Sequence, residues 1–303
     1  MRSFPVIAML VVLVAPAALG ATASADAGAR QRAGRLLFDT QVRLLNDKKL
    51  DAFANQFVDG DRAAAMFPSS RTPAVGRRDI RAAAETWAGA GRTVVGVTVT
   101  GTPTAGVKSD DDTGKRTDRL VVVTGDLEVT VRGKSGALAL RMTSVLAAGF
   151  DRANVNALAV VAVIVTEPTD DKALRTEDIT TENKDFDRFF DLLRFPDVLA
   201  AHFDAAPDDI VIGSAAGDRG KGAEATKLLG RWKDLTFVVV GKPKVVKTKE
   251  WMYILGNVAM TRGTQKPAVL ETLLVGYPDC ASTCVGTELT PHVVALHYGQ
   301  SRN

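Results

Sequence analysis

Asp208-Asp209-Ile210-Val211-Ile212-Gly213, with Gly222 nine residues further on and Trp232 beyond it, reads as a short strand, a polar loop and a helix that opens at a glycine. The same succession stands earlier in the chain. There Ala63-Ala64-Ala65-Met66-Phe67 precedes a helical pattern that begins at Gly76 and runs to Trp87. Upstream of each, apolar residues take helical spacing: Leu50, Phe53 and Phe57 in the first place, Leu199 and Phe203 in the second. Phe57 to Gly76 is 19 positions, and Phe203 to Gly222 is also 19. Gly76 to Trp87 is 11 and Gly222 to Trp232 is 10, so the helices differ by one residue. One order of elements recurring at this spacing predicts two copies of one unit.

Each half then ends in four runs rich in Val, Ile, Leu and Thr, at 93–100, 120–131, 137–147 and 157–166, and again at 235–246, 251–261, 268–277 and 289–298. Gly241-Lys242-Pro243 and Gly263-Thr264-Gln265-Lys266 read as short polar turns within or between them. Successive strands with short connections predict antiparallel sheets, and helices placed ahead of them predict α+β rather than alternating α/β.

On these residues the chain resembles the nuclear transport factor two-like superfamily, which includes ketosteroid isomerase-like and SnoaL-like proteins. The likeness is fullest over about 185–300 and weaker over about 36–166, and it rests on pattern rather than on an invariant motif. It implies two cone-shaped domains in tandem, each a curved sheet bent around helices. It carries no activity with it.

The polar stretch from Thr166-Glu167-Pro168 to Thr181-Glu182-Asn183-Lys184 falls near the middle and reads as a linker. The expected organisation is therefore 1–25 signal peptide, 26–168 first domain, 169–184 linker and 185–303 second domain. Met1-Arg2-Ser3, an apolar run from Phe4 to Leu19, and the small-x-small triplet Ala23-Ser24-Ala25 have the layout of a secretory signal with cleavage before Asp26. The expected location is secreted or periplasmic, with no membrane anchor, because no later stretch is long and apolar enough to span a bilayer. Without residues 1–25 the chain carries 37 Lys and Arg against 35 Asp and Glu, a balance that argues against nucleic acid as a partner. The two cysteines, Cys280 and Cys284, are expected to form a disulfide in an exported chain. Two thiols with no His nearer than His292 do not make a metal site, and no cofactor signature is present. Gly217-Asp218-Arg219-Gly220-Lys221-Gly222 departs from a phosphate loop in lacking its first glycine, where Ala215 stands, and the closing hydroxyl.

All three His and all three Tyr follow the linker, so the first half offers only carboxylates for acid–base chemistry. Trp232, Trp251, Tyr253, Glu271 and His292 are the candidate ligand-binding residues of the second cone. No residue is assigned a catalytic role. Trp251 and Tyr253 share a strand face. Glu271 interrupts an apolar strand and is either a cone-facing acid with a raised pKa or an ordinary solvated residue. His292 and His297 differ by an odd number, so an unbent strand turns them to opposite faces. Three readings stand: an exported non-enzymatic binder of an apolar small molecule or peptide, an isomerase-like enzyme using Glu271, and a structural protein or homodimer joined through sheet faces.

Overall fold

The computed structural model describes residues 27–68, 70, 72–107, 120–150, 157–167, 211–213, 219–220, 223–229, 235–248, 251–277 and 292–300. The signal-like segment 1–25, the linker 169–184, Trp232, His202, Cys280 and Cys284 lie outside the described residues.

Helix α1 (Ala27–Asn46) opens the first unit. The repeat pattern above does not include it, although Phe38, Gln41, Val42 and Leu45 mark one helical stripe and are all buried. Helix α2 (Leu50–Ala54) follows and buries Leu50 and Phe53. Then come β1 (Ala64–Met66), β2 (Ala74–Val75) and α3 (Gly76–Ala88). Ile80, Ala84 and Ala88 recur every four residues and turn α3 onto the core. Four long strands complete the unit: β3 (Val94–Val107), β4 (Leu120–Val131), β5 (Ala137–Ala147) and β6 (Ala159–Thr166). The second unit repeats them as β7 (Val211–Gly213), β8 (Arg219–Gly220), α4 (Ala223–Leu229), β9 (Leu235–Lys247), β10 (Met252–Arg262), β11 (Ala268–Tyr277) and β12 (His292–Gly299).

The two sheets have the same strand order, β2-β1-β6-β5-β4-β3 and β8-β7-β12-β11-β10-β9. In each, the short strand pairs in parallel with the last long one and the long strands are antiparallel. The correspondence extends to irregularities. The ladder of β5 with β6 shifts between Val145 and Leu146, and that of β11 with β12 shifts between Val275 and Gly276. The first long strand of each unit breaks register at a Gly-x-Pro, Gly101-Thr102-Pro103 in β3 and Gly241-Lys242-Pro243 in β9. Gly101 and Gly241 have φ of 69° and 72°, which only glycine adopts without strain.

In the first unit α1 covers one sheet face: a Cβ on Gly34 would meet Val121 and Val123, and one on Gly125 would meet the Phe38 ring. In the second, Phe237, Ile254, Met260, Leu270 and Leu274 form a core with Ala225 of α4. The opposite face of that sheet, with Trp251, Tyr253, Leu255, Leu273 and Val275, is continuous with the core of the first unit. The sheet faces expected to join two copies of the chain thus pack on each other within one chain. Burial on both faces also explains why β10 and β11 are apolar at consecutive positions, Tyr253-Ile254-Leu255 and Leu273-Leu274-Val275, instead of alternating.

Candidate functional site

Helix α3 ends where its buried stripe reaches the rim of the first sheet, and this leaves Trp87 half buried. The indole stacks on Phe67, with ring centroids 5.3 Å apart and planes 23° from parallel. Ala83 and Thr86 of the same helix, Val129 of β4, and Leu138 and Leu140 of β5 close the other walls. The half-open recess has a volume of about 260 Å³. Its polar groups are few: the hydroxyls of Ser70, Thr86 and Thr93, and Lys134, which the β4–β5 turn carries to the rim. An apolar slot with an aromatic wall and a cation at its mouth suits a small apolar molecule bearing an anionic or accepting group. Among the described residues that line it there is no His, Cys, Asp or Glu.

The candidates named from the sequence gather elsewhere. Tyr253 is fully buried, and its hydroxyl donates to the Arg62 carbonyl of the first unit at 2.7 Å. Burial, with Asp61 nearby, pushes its pKa far up, so the phenol stays protonated. Trp251 stacks on Tyr253 at 6.2 Å with planes 8° apart, and lies 6.2 Å from Phe150 of the first unit. Glu271 is 1% exposed, and its register with Asn257 puts it on the face of Tyr253 and Leu273. Trp251, Tyr253 and Glu271 therefore line the junction between the sheets and not the second cone. The shared face of Trp251 and Tyr253 was legible; which of two apolar faces it was depended on a partner almost 200 residues away. Glu271 is also not the solvated residue that its charge allows.

The side chains of His292 and Tyr277 lie outside the described residues, and the shift between Val275 and Gly276 breaks the even–odd count used to separate His292 from His297. His297, which was not a candidate, is the imidazole whose side chain the structure describes. It is buried, with Nδ1 2.7 Å from Thr143 Oγ1 and Nε2 2.7 Å from Thr166 Oγ1. Thr143 donates to Thr124 Oγ1 at 2.8 Å, and Thr124 donates to the Met142 carbonyl. Counting donors assigns the tautomer: Nδ1–H donates to Thr143, and Nε2 accepts from Thr166. Desolvation, then the nearby charge of Arg141, lowers the pKa of His297 to about 3.

No family model matches this sequence, and no curated protein is similar to it. Solved structures are. A nuclear transport factor 2-like superfamily protein of Salmonella enterica is 16% identical, with a TM-score of 0.37, 48% of this chain covered and 96% of that one. An NTF2-like protein of unknown function from Pseudomonas putida is 13% identical, with a TM-score of 0.34 and coverage of 51% and 98%. A scytalone dehydratase-like protein from Novosphingobium aromaticivorans is 10% identical, with a TM-score of 0.32 and coverage of 45% and 83%. Likeness of this degree concerns the fold. Within this chain the same strand order is found twice. Among the described residues no helix is long and apolar enough to cross a membrane.

Proposed function

We propose that the chain is an exported, non-enzymatic protein that binds an apolar small molecule, or an apolar peptide segment, in the recess of its first domain. The observation that carries this reading is the slot of about 260 Å³ beside Trp87, apolar in its walls and cationic at its rim through Lys134. The second cone was the site expected from sequence, but Trp251, Tyr253 and Glu271 are engaged between the sheets. The same placement weighs against an isomerase-like reading, because a base must reach its substrate and Glu271 lies on the sheet face away from the second cone.

Anilinonaphthalene sulfonate, an apolar aromatic with one anionic group, is a suitable probe. The expected result is saturable binding that weakens at least about tenfold in Trp87→Ala, since the probe loses one apolar wall. Unchanged affinity in that variant, measured by fluorescence titration, would remove the recess from consideration.

Export rests on the layout of residues 1–25. Protein recovered outside the cytoplasm is expected to begin at Asp26, with an intact mass two hydrogens short of the dithiol form because Cys280 and Cys284 are joined. A mass that retains residues 1–25, or complete thiol labelling without reduction, would contradict the respective part.

A further inference from the structure

The two domains meet through equivalent faces, and this makes their differences informative. Arg141 on β5 pairs with Asp126 on one side and Thr166 on the other. Glu271 on β11 pairs with Asn257 and Gly299 in the same relation. Arg141 precedes the shift at Val145 by four residues, and Glu271 precedes the shift at Val275 by four, so the two occupy one position of the repeated unit. By the same count Thr166 corresponds to Gly299, and Glu167 to Gln300. Glu167 N donates to the Gln300 carbonyl at 3.2 Å, and a Cβ built on Gly299 would collide with the Thr166 side chain. Contacts between equivalent positions mark the axis of a pseudo-twofold pair.

At that axis the two domains differ in size, and beside it they differ in charge. Thr166 fills the space that Gly299 leaves open. Two first domains would set Thr166 against Thr166, where even one added Cβ already collides, and two second domains would leave a void. Arg141 is 2% exposed and Glu271 is 1% exposed. Two second domains would bury two Glu271 carboxylates beside uncharged Asn257 residues. Two first domains would bury two guanidiniums, each held at Nε by its own Asp126 at 2.9 Å. Only the mixed pair sets one basic and one acidic side chain, both buried, at the two equivalent positions. Other cross-contacts are as one-sided: His297 needs Thr143 and Thr166, and Tyr253 needs the Arg62 carbonyl.

We propose that the two domains are mutually selective partners, each sheet accepting the other domain of the chain and rejecting a copy of itself, with Arg141 opposed to Glu271 and Thr166 to Gly299 as the discriminating pairs. The sheet face that the sequence suggested for joining two copies is thereby committed within one chain.

A charge-reversal cycle on the full chain tests this. Arg141→Glu and Glu271→Arg are each expected to lower the folding equilibrium constant by about 100-fold or more, as like charges become buried. The swapped double variant is expected to be more stable in urea unfolding than the two single effects add up to, yet short of the parent, because Arg141→Glu also breaks the ion pair with Asp126. Effects that simply add in the double variant would overturn the proposal, as would a double variant that is not recovered folded when either single variant is. If neither single nor double folds, the size pair decides: Gly299→Ser is expected to destabilise the chain, and Thr166→Gly, which alone removes a hydrogen bond to His297, to cost less in that variant than in the parent. A Gly299→Ser variant as stable as the parent, or a cost of Thr166→Gly that is undiminished in it, would also overturn it.

Discussion

Lowering the pH from 7 to 4 weakens the native protein by about 3 kcal/mol more than it weakens a His297→Gln variant. In the native state burial and Arg141 hold the His297 pKa at about 3, whereas the unfolded imidazole has its ordinary value of 6.5. Below 6.5 the unfolded chain takes up a proton that the native chain refuses, so the unfolded state gains. The contribution of the neutral imidazole is complete above pH 6.5 and is lost progressively as the pH falls toward 3, at about 1.4 kcal/mol per unit. Its neighbours from both domains bear on the sign. Thr143 and Thr166 are uncharged, Arg141 opposes protonation, and the carboxyl groups of Glu271, on the same sheet face, and Asp126, paired with Arg141, would favour it. The glutamine of the variant would keep a donor and an acceptor for the two threonines while removing the titration. Urea unfolding of both proteins between pH 7 and 4 measures the difference, and parallel curves would show that His297 is not held neutral.

Trp251→Ala is expected to cost about 3–5 kcal/mol of stability, the range for deleting a large buried aromatic, and to leave binding in the Trp87 recess unchanged. The indole is 3% exposed and stands between Tyr253 of its own domain and Phe150 of the other, so its removal opens a cavity at the sheet junction. Tyr253→Phe is expected to cost less, about 1–3 kcal/mol, because it keeps the ring and leaves only the Arg62 carbonyl without its donor. Unfolding midpoints and the affinity for anilinonaphthalene sulfonate separate the two roles. If Trp251→Ala left stability intact and abolished probe binding, the aromatic pair would be a ligand platform and not a structural joint.

Much of the repeat was legible because local rules act on it. The strands Leu120–Val131, Ala137–Ala147 and Ala268–Tyr277 fall where runs of β-branched residues end at Gly or polar turns. Gly76 starts α3 as its spacing predicts. A stronger sign of duplication was also present: Gly101-Thr102-Pro103 and Gly241-Lys242-Pro243 are the same bulge in corresponding strands. In the folded second domain, Pro243 comes so close to Gly256 that a Cβ there would collide with it. The helix Ala27–Asn46 was readable from Phe38, Val42 and Leu45, but its arginines dilute the apolar stripe.

The candidate site was less legible. Trp87 was recognised only as one of a recurring pair, and nothing local distinguishes a tryptophan that fills a core from one that borders a recess. Lys134 sits in a turn that reads as solvated, and it becomes part of the rim only when β4 and β5 bring it beside α3.

By itself the sequence determined the α+β class, the doubled order of elements, the long strands and the concentration of His and Tyr in the second half. Those properties follow from periodicity, turn chemistry and composition, which act within a few residues. The tertiary structure decided which face of the second sheet is the cone and which is the joint, because β10 and β11 are apolar on both faces and alternation carries no information there. It also decided that Glu271 and His297 are buried, and that Arg141 and Glu271 are opposite charges at one position of the repeat. A side chain's partner across two packed sheets is fixed by the register of both, and that register is set by bulges and close approaches that only the folded chain brings together.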